Sequence, residues 1–324
     1  MIAKFLTCHL LKKSTNFGCL FILSCALSGV FHSSASAFEP DRDVSIIVTT
    51  SAGGGNDMIS RTLASVITDL KLTKSNFVVE NRPGGSSLVG MQYAAKHKNN
   101  PYIWINFATA FFTTPMLNKS SVSYKDFIPL AMIAEEPWIM AVRADSDIKS
   151  LNDIKAAGFM LSGTEGIMAG PALLAQQIGQ HFNIETAVVP FSGQSGVVAA
   201  LLGKHIDVMF AVPTVAIPLI EAGKLRPLAV SSKERMSALP EIQSLTEAGL
   251  DIVLSQPRGF ALPLGVSEDA REYWVEIIRE AVMSEQWKNR YLDKTHLDPV
   301  FIHGDELKDK LEEIDEKFLN LMKK

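Results

Sequence analysis

Four short turns rich in glycine and hydroxyl groups each lead into an apolar, helix-compatible run. They are Ser51-Ala52-Gly53-Gly54-Gly55-Asn56, Pro83-Gly84-Gly85-Ser86-Ser87, Ser162-Gly163-Thr164-Glu165-Gly166 and Ser192-Gly193-Gln194-Ser195-Gly196. A helix N-terminus offers unpaired backbone N–H groups and a partial positive charge, and glycine lets a ligand approach that backbone closely. Several such ends converging on one cleft make a site for a small anion, most simply a carboxylate. Taken singly, each is an ordinary strand-to-helix connection. Arg258, in Ser255-Gln256-Pro257-Arg258-Gly259-Phe260, is the side chain best matched to a carboxylate's two oxygens. The alternative for it is a surface ion pair where the chain crosses between two halves of the molecule.

Other chemistry is poorly represented. His97, His181, His205, His296 and His303 lack the spacing of a metal pair on one helix. Gly193-Gln194-Ser195-Gly196 departs from the nucleophile-elbow pattern at Val197. Gly53-Gly54-Gly55 is followed by neither a Lys-Ser nor a Lys-Thr pair, and Met58 stands where a dinucleotide fingerprint needs its third glycine. The expectation is a binding protein, not an enzyme, with no cofactor and no metal. A secreted hydrolase using Ser195, with His205 nearby in sequence, is the rival class; ester turnover separates the two.

Residues 1–37 read as an export signal. Lys4, Lys12 and Lys13 form a basic front, Phe17 to Val30 is mostly apolar, and Ala35-Ser36-Ala37 fits a cleavage site. The apolar stretch is shorter than the about 20 residues of a membrane span. A lipoprotein alternative at Cys25 is disfavoured by Leu23. All three cysteines (Cys8, Cys19 and Cys25) fall in this leader, so the chain from Phe38 has neither thiol nor disulfide. The leader also holds three of the 31 basic residues and none of the 35 acidic ones, so the remainder is more acidic than the formal −4 of the whole. No basic stripe suits a nucleic acid. An acidic protein that binds an anion must concentrate positive potential locally, as helix ends and one arginine do.

The elements that must position these turns alternate. Val44 to Val48, Phe77 to Glu80, Ile103 to Phe107 and Trp138 to Val142 read as strands, with a helix after Asn56, its expected N-cap, and a loop from Ala108 to Thr114. A second series has strands at 159–161, 187–190, 206–210, 227–230 and 252–254, with one helix carrying Pro171 in its first turn and another continuing from Val197 to Leu202. Two helices end the chain, one capped by Ser267 and one by Asp305, the latter with a stripe of Leu307, Leu311, Ile314, Phe318 and Leu321. The fold class is therefore α/β, with two lobes of helix-covered, mostly parallel sheet. Lobe 1 is expected over 38–143 plus 255–324, and lobe 2 over 144–254.

These segments resemble the periplasmic substrate-binding subunits of tripartite tricarboxylate transporters, the Bug-type receptors. The residues concerned are Ser51-Ala52-Gly53-Gly54-Gly55-Asn56-Asp57, Val79-Glu80-Asn81-Arg82-Pro83-Gly84, Pro190-Phe191-Ser192-Gly193 and the runs Leu201 to Val208 and Ala222 to Val230. Further echoes are Leu117 to Ser120, Ala144-Asp145-Ser146, Arg258-Gly259-Phe260 and Gly304-Asp305-Glu306. The resemblance implies a type II periplasmic binding fold that closes on its ligand, a periplasmic monomer, and delivery to membrane permease subunits. It implies carboxylate binding by Ser51, Ala52, Gly53, Gly54, Gly55, Asn56, Asp57, Ser86, Ser87, Ser162, Gly163, Thr164, Ser192, Gly193 and Gln194, with a citrate-like tri- or dicarboxylate favoured. A ligand-binding partner of a membrane sensor would share these features.

Overall fold

Val44, Ile46, Ile47 and Val48 are fully buried in β1 (Val44–Val48), the strand from which the first sheet grows. After the first glycine turn, α1 (Gly55–Asp69) lays Ile59, Leu63, Val66 and Ile67 on that sheet at helical spacing. Then follow β2 (Phe77–Asn81), α2 (Leu88–Ala95) and β3 (Ile103–Phe107), with β2 and β3 parallel to β1 on its two edges. The chain continues through α3 (Thr109–Asn118) to β4 (Phe127–Pro137). The computed structural model describes residues 38–164, 170–191 and 194–322; the expected leader, Ser192 and Gly193 lie outside them.

The second series runs β5 (Ile139–Arg143), α4 (Leu151–Ala157), β6 (Phe159–Thr164), α5 (Gly170–Phe182), β7 (Glu185–Pro190), α6 (Gln194–Leu202), β8 (Val208–Ala211), α7 (Pro213–Glu221) and β9 (Leu225–Val230). The chain returns through β10 (Ser255–Pro263) to α8 (Glu268–Val282). The short helices α9 (Glu285–Trp287) and α10 (Asp293–Thr295), β11 (Ile302–His303) and α11 (Gly304–Met322) complete it.

Two sheets result, ordered β11-β4-β10-β3-β1-β2 and β7-β6-β8-β5-β9. The α/β class holds, and both sheets are mixed. β1 with β2 and β3, and β6 with β7 and β8, are parallel; β10 and β5 pair antiparallel with their neighbours. The reason is connectivity. β5 and β10 are the strands that have just crossed from the other sheet, and they enter from the opposite end.

Several local expectations shift. β5 pairs in the second sheet, so the first crossing falls at Trp138 and not near Arg143. The strand expected at 252–254 begins instead at Ser255, so Arg258 lies inside β10 and not in a connecting segment. The region read as a loop from Ala108 is the helix α3, because Phe111 and Phe112 fill the core and overrule the weak propensity of its threonines. The N-cap of α1 is Gly54, not Asn56, and α11 starts at Gly304, with Asp305 in its first turn.

Packing around the first sheet is aromatic. Trp104 on β3 and Trp274 on α8 meet edge-on at 5.3 Å, and Phe77 meets Trp104 at 5.2 Å. Such pairs contribute about 0.5–1.5 kcal/mol each beyond their burial. At the crossings Ser231 does the joining. Its N–H donates to the Trp138 carbonyl (2.9 Å) and its carbonyl accepts from Leu254 N–H (3.0 Å). Its hydroxyl accepts from Trp138 N–H (2.8 Å) and donates to the Leu254 carbonyl (2.5 Å).

Candidate functional site

The first glycine loop runs from the carboxyl end of β1 to the start of α1. Ser51, Ala52, Gly53 and Gly54 are exposed, Gly55 is half-buried, and Asn56 and Asp57 are buried. Gly53 takes the left-handed φ of +83°, which glycine alone adopts at little cost, while Gly54 has φ −81°. Within the run Gly53-Gly54-Gly55, positive φ is confined to Gly53.

Asp57 orders this loop from beneath. Its carboxylate accepts the Gly53 N–H (2.9 Å), Arg61 Nε (3.0 Å) and Asn81 Nδ2 (2.9 Å), and Asn81 Nδ2 also reaches the Thr50 carbonyl (3.1 Å). Burial pushes the Asp57 carboxyl up, but the bonds from Arg61, the Gly53 amide and Asn81 outweigh it and hold it below the ordinary value. Asp57 therefore serves the loop's shape, and its charge is already matched. With Gly54 as N-cap, no side chain caps the first turn of α1. The first-turn amides of α1 and its positive end are what the loop offers to an anion.

Arg258 lies directly under the same helix start. Its Nη1 is 2.5 Å from Asn56 Oδ1 and its Nη2 is 2.5 Å from Glu136 Oε2, with both arginine and glutamate buried. A Cβ on Gly55 would stand 2.5 Å from Nη2, so only glycine leaves room for the guanidinium. Glu136 was not foreseen. It neutralises a cation held against the positive end of a helix. The pair extends toward Tyr291, whose phenol is buried and raised by burial first and by Glu136 second.

The second turn has four consecutive residues at positive φ, Gly84 (129°), Gly85 (54°), Ser86 (49°) and Ser87 (82°). Serine seldom adopts this conformation. Ser87 is the N-cap of α2 without a side-chain bond to it; Ser86 is exposed and Ser87 buried.

In the second sheet, Ser162, Gly163 and Thr164 end the parallel strand β6 instead of forming the turn itself, and all three are buried. Thr164 accepts the Phe191 N–H at 2.8 Å, which ties the ends of β6 and β7 together. Ser162 Oγ has no hydrogen-bond partner among the described residues. Gln194 opens α6 and sends Nε2 toward the Phe210 carbonyl on β8 at 3.4 Å. Ser51 to Asp57 and Ser86-Ser87 thus share the carboxyl ends of β1 and β2. Ser162 to Thr164 and Gln194 gather at those of β6 and β7. Carboxyl ends of parallel strands are where α/β sheets bind ligands. Sequence reading also missed Asn81, Thr50 and Asn106, whose roles depend on contacts across strands.

Residues 59–323 match the family described as tripartite tricarboxylate transporter family receptor. A Cupriavidus necator protein described as "UPF0065 protein in gbd 5'region" is 25% identical over 271 residues, covering 82% of each chain. A TctC solute binding protein from Polaromonas superposes with a TM-score of 0.78 at 24% identity, over 88% of this chain and 99% of that one. MatC from Rhodopseudomonas palustris, solved with bound malate, gives 0.71 at 18% identity, over 87% and 99%. Their likeness is one of fold, and their two-sheet architecture is the one described above. With the family match spanning most of its length, this chain belongs to the tripartite tricarboxylate transporter receptors.

Proposed function

We propose that this receptor, exported to the periplasm after cleavage of residues 1–37, captures a small carboxylate between its two lobes and delivers it to the membrane permease subunits of a tripartite transporter. It acts as a monomer and turns nothing over. The observation that carries this reading is the first glycine loop. Asp57 and Asn81 hold it from below, and no N-cap side chain occupies the start of α1. Ser86, Ser87, Ser162, Gly163, Thr164, Ser192, Gly193 and Gln194 complete the proposed site. Arg258 contributes from beneath, by holding Asn56 and neutralising Glu136. A di- or tricarboxylate is the favoured class; the malate in MatC supports the first of these.

A thermal-shift screen of residues 38–324 against malate, adipate, citrate and matched amides tests the reading. A ligand at 100 times its dissociation constant stabilises by about 2.7 kcal/mol. Stabilisation by at least one acid and by none of the amides is the expected result. Stabilisation by no acid, in a protein that unfolds cooperatively, overturns it.

A further inference from the structure

We infer that Asn106 reads the ligand directly, its side-chain Nδ2 donating to an oxygen of the carboxylate held at the first glycine loop. This rests on the carboxylate reading above and names a residue and a bond that it does not contain.

Asn106 is the fourth residue of β3 and is 1% exposed. Its Oδ1 accepts the N–H of Thr49 at 2.9 Å, just beyond the last ladder position of β1. That bond fixes which end of the amide is which. Turned over, the NH₂ group would face another donor. Nδ2 is therefore presented away from the Thr49 amide, and it has no partner among the described residues. The next residue of β1's exit, Thr50, repeats the pattern. Its Oγ1 is buried and has no partner among the described residues, and it would stand 3.9 Å from a Cβ on Gly54. Thr109, the first residue of α3 and 9% exposed, has a third such hydroxyl.

Three polar groups without partners among the described residues thus lie at or just past the carboxyl ends of two adjacent strands, β1 and β3, and β1 leads through the glycine loop into the 15-residue helix α1. Buried polar groups are almost always paired, because leaving one unpaired costs stability. The chemistry of the trio is selective. Nδ2 is a donor only, the hydroxyls donate or accept, and none is charged, so the group fits an anion's oxygen and repels no part of it. A leucine, branched at the same carbon but larger, would make neither bond. An aspartate would keep the Thr49 bond and oppose the anion. Asparagine alone among the three both braces Thr49 and donates.

The bracing role and the reading role separate in Asn106→Asp, which keeps the acceptor for Thr49 N–H. Whichever of malate, adipate or citrate stabilises the parent protein is titrated by calorimetry into parent and variant between pH 5.5 and 8. The inference expects a ten- to hundredfold weaker Kd in the variant at pH 8. It also expects the variant-to-parent ratio to shrink toward pH 5.5, as the new carboxyl takes up a proton and regains a donor. Taking the ratio cancels the ligand's own titration. Asn106→Leu, which adds no charge, should weaken binding about tenfold with no pH trend in the ratio. If neither variant yields folded protein, the Asn106 side-chain amide resonances of the parent serve instead, and they must shift on adding the acid. Variants that bind within twofold of the parent, or amide resonances that stay put under saturation, make Asn106 a brace only and overturn the inference. If none of the three acids binds the parent, the carboxylate reading itself has failed, and this inference falls with it.

Discussion

Arg258 and Glu136 meet at 2.5 Å with side chains 7% and 3% exposed, and the guanidinium occupies the space a Cβ on Gly55 would need. The two residues lie on β10 and β4, the antiparallel strands that lead to and from the crossings, while Asn56 belongs to the loop. The pair therefore links the glycine loop to the two strands that adjoin the crossings. In this position the arginine's charge is already matched before a ligand arrives.

Arg258→Ala leaves the Glu136 carboxylate buried without its cation. The expected loss is about 3–5 kcal/mol of unfolding free energy, whereas Arg258→Met combined with Glu136→Leu should restore most of it. Urea unfolding of the two proteins checks this. A single variant that loses under 1 kcal/mol would show that water reaches the pair and that it stabilises little.

Glycine substitutions in the first loop should rank by backbone conformation and not by crowding. Gly53→Ala places a Cβ on left-handed backbone and costs roughly 1–2 kcal/mol, although nothing stands within 4 Å of the new atom. Gly54→Ala puts its Cβ 3.6 Å from the Ser51 carbonyl on ordinary backbone, an unstrained contact. Thermal midpoints should fall further for Gly53→Ala. The reverse order would mean that the loop rearranges around position 53.

Asp57 makes a pH-dependent contribution of known sign. Its folded-state pKa lies below the unfolded value, so the stability it supplies is fully present above about pH 3.9 and is lost as pH falls through the folded value. Asp57→Asn removes that contribution. The stability gap between parent and variant should be largest near pH 7 and close below about pH 4. Urea unfolding at a series of pH values measures the gap. A gap that stays constant to pH 3 would mean the carboxylate's bonds do not set its titration.

How much of this was legible depends on sequence distance. Ile59, Leu63 and Val66 announce α1, and the glycines before them announce a turn, because both signals lie within a few residues. Asp57 was visible as part of the loop, but its inward role was not, since Asn81 approaches from 24 residues away. Glu136 pairs with Arg258 across 122 residues and Asn106 meets Thr49 across 57, so nothing local marks either. α3 was hidden for a different reason. Thr113, Thr114 and Pro115 read as breakers, and the helix forms because Phe111 and Phe112 bury their rings against Phe107 and Phe127. β10 was obscured by Pro257 and Gly259, which flank the Arg258 side of a register shift in its pairing with β4.

Ser231 decides how the crossings behave. It is 1% exposed, and its hydroxyl joins Trp138 N–H to the Leu254 carbonyl, the two points where the chain passes between sheets. A receptor that closes by rotating its lobes must bend close to these points. Small-angle scattering should then show a smaller radius of gyration when a stabilising acid saturates the protein. Ser231→Ala removes the bridge and leaves a buried N–H and a buried carbonyl each short of a partner. The expected cost is about 2–3 kcal/mol in urea unfolding. If the bridge lies in the hinge and persists through closure, open and closed forms lose that energy equally, and ligand affinity should stay within about twofold. An affinity change above tenfold alongside that loss of stability would mean instead that closure breaks the bridge, and the axis would have to lie elsewhere.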